Sequence, residues 1–191
     1  MNRVSNKITT LLVGMGVLPL ALFAQMPPAL KISTSAGQVA IIDSTGTGTV
    51  TFSGTCTLAT CTTNLGPAVT PGIVVWGGTL GTFSITSATG ASKPALGPTP
   101  DQDLGVSVIT TAAGTLTVQW SDTGFNTPSI TDGSLNVHGT VTSGKADMMA
   151  YAGYFDSTNT LFGTPASGKV GEIDFSNTSG LFGPSSQSGS V

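Results

Sequence analysis

Residues 114–122 read Gly-Thr-Leu-Thr-Val-Gln-Trp-Ser-Asp, and this short stretch decides the fold class. Leu116, Val118 and Trp120 alternate with Thr117, Gln119 and Ser121. A period of two puts the first set on one face of an extended strand and the second on the other, one dry and one wet. The same alternation recurs at Val50 and Phe52, Phe83 and Ile85, Val106 and Val108, and Leu135 and Val137. Extending it along the chain predicts ten short strands, at 30–34, 38–43, 48–53, 73–76, 82–87, 104–110, 115–122, 134–142, 148–155 and 169–175. Gly, Pro, Asn and Asp separate them, as turn chemistry requires. The run Ile73-Val74-Val75-Trp76 is apolar on both sides and predicts a central strand. No segment after residue 24 carries a sustained helical stripe. The expectation is an all-β chain, an antiparallel β-sandwich of jelly-roll or Ig-like kind.

Composition agrees with that reading. The 191 residues include 26 Gly, 31 Thr and 21 Ser, while Asp, Glu, Lys and Arg together make only 8%. Threonine suits strands because its β-branch fits the pleated surface. Hydroxyl side chains therefore take the outward positions that Lys and Glu hold in most soluble domains. The hydrophobic fraction of 39% is enough for a core. A net charge of −3 with no basic cluster removes the attraction that supplies most non-specific nucleic-acid affinity, which excludes nucleic acid as a partner.

Residues 1–25, MNRVSNKITTLLVGMGVLPLALFAQ, place Arg3 and Lys7 ahead of an apolar stretch running to Phe23, with Leu22 and Ala24 at the −3 and −1 positions of a cleavage site. This is the pattern of a secretory signal peptide over residues 1–24. Pro19 interrupts a stretch already short for spanning a bilayer, and no Cys follows it for lipidation. The product expected is secreted or periplasmic, with no stable membrane anchor after cleavage. The remainder keeps four lysines against nine acids and has no arginine, so it lacks the bidentate fork on which most phosphate sites depend. The expected organisation is a single domain over 25–179 and a flexible end over 180–191, with 88–102 a long Pro- and Gly-containing connection.

Cys56 and Cys61, in GTCTLATCTT, are an even pair in an exported chain, which predicts a local disulfide. Four intervening residues do not match the two-residue redox spacing, and no second Cys or His pair completes a zinc site. So short a loop is worth about 2 kcal/mol or less.

Four phrases carry a family resemblance: GTVTFSGTCTLATCTT at 48–63, GIVVWGGTLGTFSITSATGASKPALG at 72–97, TTAAGTLTVQWSDTGF at 110–125 and MAYAGYFDSTNTLFG at 149–163. Together they resemble the secreted β-sandwich exoproteins of Gram-negative bacteria that use the PEP-CTERM/exosortase sorting route. The resemblance implies an extracytoplasmic protein associated with envelope or extracellular matrix. That family's sorting signal is a Pro-Glu-Pro motif, an apolar helix and a basic cluster. This sequence ends Gly189-Ser190-Val191 without them, so release into periplasm or medium is expected.

No catalytic constellation emerges. His138 is the only histidine, the G-x-S-x-G turn is absent, and alternation from Val137 turns His138 outward. Asp101 and Asp103 offer oxygens suited to Ca²⁺, but the calcium-loop pattern with its closing Glu is missing, so a solvated loop is favoured. Neither cofactor nor metal is expected. The leading expectation is a non-enzymatic structural or interaction protein of the envelope or extracellular matrix, with polysaccharide or other envelope proteins as partners. The alternative is a carbohydrate-binding module that stacks sugars on Trp76, Tyr151 and Tyr154.

Overall fold

The structure is a computed structural model that describes residues 28–44, 47–53, 61–93, 95–96, 101–125, 132–158 and 160–190. The expected leader at 1–24, and Cys56, lie outside the described residues. The strands are β1 (Ala29–Thr34), β2 (Gly37–Ser44), β3 (Thr47–Ser53), β4 (Cys61–Thr70), β5 (Ile73–Leu80), β6 (Phe83–Ala91), β7 (Asp103–Thr110), β8 (Thr117–Ser121), β9 (Asp132–Tyr154) and β10 (Lys169–Ser190). One 3₁₀ turn, Ala166–Gly168, precedes β10. The fold is all-β and every pairing is antiparallel.

Two four-stranded sheets have the orders β3-β2-β1-β8 and β4-β5-β6-β7. Each is built mainly of consecutive hairpins, and β8 returns to pair with β1. Leu30 and Ile32 from the first sheet meet Val74, Trp76, Leu80, Phe83, Ile85 and Ala88 from the second in one buried cluster. Leu116, Val118 and Trp120, the apolar row of the opening stretch, pack against it. Register explains why: Val118 lies opposite Ile32 and Trp120 opposite Leu30, so one face of β8 continues the core face of β1. Trp76 is fully buried, and its indole N–H donates to Thr63 Oγ1 at 3.3 Å. β5 is interior to its sheet as expected, with Val74 and Trp76 in the core and Ile73 and Val75 half-buried on the reverse face.

Alternation alone does not find β4, because Gly66 and Pro67 read as a turn. The β4–β5 ladder absorbs them with register irregularities between Thr63 and Leu65 and between Leu65 and Ala68. Cys61 opens this strand, is buried against the core and is disulfide-bonded.

The last third of the chain departs most from expectation. The two strands expected at 134–142 and 148–155 are one strand of 23 residues, and 180–190, expected as a flexible end, is the second half of β10. β9 and β10 form a separate two-stranded ribbon. Phe182 lies opposite Gly139 and Phe175 opposite Met149. Seven residues of straight strand would separate Phe175 from Phe182 by roughly 23 Å. The rings of Phe175 and Phe182 are nevertheless 5.0 Å apart, and Tyr151 meets both, at 6.0 and 6.2 Å. The ribbon has therefore doubled back on itself, halves face to face, around a second apolar cluster in which Val137 and Ile173 are buried.

Gly144 on β9 and Gly180 on β10, with φ of +75° and +76°, sit at the fold, beside the ladder irregularity between Thr178 and Gly180. Left-handed backbone on both strands bends the ribbon without a Cβ clash. Gly180→Val is expected to cost roughly 1–2 kcal/mol, although open space surrounds the Cα, because the cost is conformational. Urea unfolding would show it, and Gly180→Ala would share most of it.

Candidate interaction surface

The aromatic residues nominated from sequence do not converge. Trp76 is inside the two-sheet core, which removes its ring from any stacking surface. Tyr151 is held inside the doubled ribbon against Phe175 and Phe182, and burial pushes its hydroxyl pKa upward. Tyr154 lies on the ribbon's outer face, 37% exposed. Three residues of separation put the two tyrosines on opposite faces. His138 is exposed on β9, beside a shallow apolar groove formed with Thr140, Leu181, Phe182 and Pro184. Asp101 and Asp103 are exposed, and among the described residues no group of three or more His, Cys, Asp or Glu side chains is placed to hold a metal. Among the same residues no helix is long and apolar enough to cross a membrane.

A polar clasp joins two of the phrases singled out in the sequence. Lys93, just past β6, donates to the carbonyl of Thr123, just past β8, and its Nζ stands 4.0 Å from Asp122 Oδ2. The Asp122 side chain is fully buried, and its Oδ1 accepts from the Thr123 N–H at 2.7 Å. The ring of Phe125 lies 3.9 Å below the ammonium. Burial lowers the Lys93 pKa and the Asp122 charge works against that shift. Next to the clasp, Trp120 donates to the Ala91 carbonyl at 3.1 Å, and its indole covers Gly90 so closely that a Cβ there would sit 2.1 Å from the ring. β6 belongs to one sheet and β8 to the other, so these contacts fasten the sheets together at their chain ends. Alternation shows where a strand faces but cannot pair two charges 29 positions apart, which is why sequence reasoning missed the clasp.

The ribbon is held to the same region. The Phe162 N–H donates to Ser121 Oγ at 3.0 Å, and Lys31 Nζ lies 4.7 Å from the Phe162 ring. Asp156 shapes the connecting loop by accepting from the backbone and hydroxyl of Thr158, which holds its carboxyl below the usual range.

The surface that stands out is β7. Val106 and Val108 were expected to face the core, and by register they do, opposite Ala88 and Ile85 of β6. They are nonetheless 41% exposed each, with Leu104 at 40% and Ile109 on the reverse face at 65%. The cause is the way the two layers meet. β3 lies against β4 where the layers close, whereas among the described strands the extensive neighbour of β7 is β6. Opposite it the first sheet ends in a strand of five residues, and Trp120 there spends its ring on Gly90 of β6.

As the last strand of its sheet, β7 also leaves one row of backbone N–H and C=O groups with no strand partner among the described residues. Natural edges are blunted by short length, charge, proline or irregular register. β8 is short, and β4 contains Pro67 and two register irregularities. β7 has eight residues, no proline, and Asp103 at its start as its single charge. Its ladder with β6 has one irregularity, the extra residue lying on β6 between Ile85 and Ser87, so β7 itself stays extended. A partly apolar edge with one charge at its end is chemically suited to accept another strand. Searches of family models, of curated proteins and of solved structures each find no match for this chain.

Proposed function

We propose that the protein is a non-enzymatic structural or interaction protein of the envelope or extracellular matrix, exported by its leader and acting through strand addition at β7. The single observation that carries this reading is that β7 is exposed along all eight residues while its inward row is Leu104, Val106 and Val108. The export pattern of residues 1–24 and the resemblance to PEP-CTERM-type exoproteins support the compartment. The Cys56–Cys61 pairing proposed from sequence suits it, Cys61 being disulfide-bonded.

Val106→Lys puts an ammonium on the inward row of the edge, at a position already partly solvated. The substitution is expected to leave the melting temperature within a few degrees of wild type. It should reduce retention of the protein in the insoluble extracellular fraction of the producing cells at least tenfold. Equal retention of the folded variant would remove β7 from the account.

The carbohydrate reading keeps Tyr154, whose outer face it shares with Met148, Ala150 and Ala152 beside Glu172 and Asp174 of β10. Tyr154 is the member of the sequence-nominated trio whose ring lies on that face. Loss of polysaccharide retention on Tyr154→Ala, with Val106→Lys unaffected, would favour it.

A further inference from the structure

Resting on the reading of β7 as the open edge, we propose that its partner is a second copy of this chain, paired β7 to β7 and antiparallel about a two-fold axis beside Val106. Closed two-fold pairing is the commonest way that identical chains associate, and it demands a patch that complements itself. β7 is such a patch in that orientation. Residues directly opposite each other in antiparallel strands project to the same face. With Val106 opposite the partner copy's Val106, Leu104 meets Val108 in both directions, and the two inward rows form one apolar strip across the seam.

The reverse face is compatible as well. Gly105 lies opposite Ser107 and Asp103 opposite Ile109, so no bulky or like-charged pair is forced together. Charge selects the direction. A parallel in-register pairing would set Asp103 of one copy beside Asp103 of the other. The antiparallel pairing instead holds the two carboxylates six positions apart along the seam, roughly 20 Å. That distance exceeds the screening length of about 8 Å at physiological ionic strength. Of the other edges of the two four-stranded sheets, β4 has Pro67 in its ladder, β8 is short, and β3 is an uncharged strand of seven residues that lies against β4 where the layers close. Joining the copies extends each second sheet into one of eight strands and sets the two inward rows side by side, so that each gains lateral apolar neighbours.

A single strand pairing buries less than the 1,200–2,000 Å² of a standard stable interface, which sets the expected dissociation constant on the order of micromolar. Sedimentation of the purified chain across that range should show a monomer–dimer equilibrium, and Val106→Lys should raise the dissociation constant at least tenfold. Under mild oxidation Val106→Cys should cross-link between copies, because opposed Cα atoms lie within disulfide range. Ile109→Cys, more exposed but roughly 20 Å from its counterpart, should cross-link at least tenfold less. The unsubstituted chain gives an independent readout, since amide exchange over 104–110 should slow as protein concentration rises.

A monomer at every concentration, with exchange over 104–110 independent of concentration, overturns the second copy as partner. Cross-linking through Ile109→Cys equal to that through Val106→Cys overturns the register and with it the proposed seam. The retention assay separates this from the parent reading. A monomeric wild type whose retention Val106→Lys still abolishes means that β7 accepts a strand from a different protein. Retention unchanged by Val106→Lys removes the parent reading whatever the sedimentation shows.

Discussion

Replacing Trp76 by alanine should destabilise the protein by roughly 3–5 kcal/mol, the range for removing a fully buried Trp or Phe side chain. The indole fills the middle of the two-sheet core, and the interior strand that carries it is flanked by β4 and β6, both of which it helps to position. Part of the cost is transfer free energy, and part is a cavity that paired strands on either side cannot collapse to fill. Gly78 shows how tightly the ring is held, since a Cβ there would fall 2.5 Å from it. Urea unfolding should show the midpoint displaced far below wild type, and Trp76→Phe should recover more than half of the loss. A Trp76→Ala cost below about 1 kcal/mol, the level of an ordinary surface site, would mean that the sheets do not share this core.

The second large effect belongs to the clasp. Lys93→Met leaves the Asp122 carboxylate fully buried without the ammonium beside it, and breaking a buried pair from one side typically costs 3–5 kcal/mol. Lys93→Met with Asp122→Asn removes both charges, so the double variant should be more stable than Lys93→Met alone. A double-mutant cycle should return a coupling of about 0.5–3 kcal/mol. Additive costs would show that the two charges do not interact. The clasp ties β6 to β8, so its loss should also speed amide exchange in β8, the strand that depends on it at one end.

Much of the two-sheet body was legible in the sequence because its strands obey the period of two, and Leu116, Val118 and Trp120 lie where alternation put them. β4 was hidden by Gly66 and Pro67, which signal a turn locally but are accommodated by irregular pairing once β5 supplies a ladder. The ribbon was hidden for another reason. Residues 180–190 are poor in apolar side chains, and what orders them is backbone pairing along β9 together with the packing of Phe182 on Phe175 and Tyr151. Periodicity carries no information about a strand folding back on itself, though Gly144 and Gly180 mark the place. Trp76 and Tyr151 were attractive as sugar platforms by residue type, but each is occupied in a core. The exposed edge β7 was half legible. The inward direction of Val106 and Val108 could be read from alternation, but their exposure follows from where the opposite sheet stops, which only the packing of the layers reveals.

Low charge takes on a physical meaning in this arrangement. Thr and Ser cover the outward strand positions, so an edge such as β7 has few neighbouring charges to repel an incoming strand. We propose β7 as the surface through which the protein acts. Amide hydrogen exchange measured on the dilute chain, and on the same chain recovered in its extracellular assembly, tests it most directly. New protection in the assembly should be concentrated at residues 104–110. Unchanged exchange there, with protection arising instead on the outer face of the ribbon around Tyr154, would contradict it.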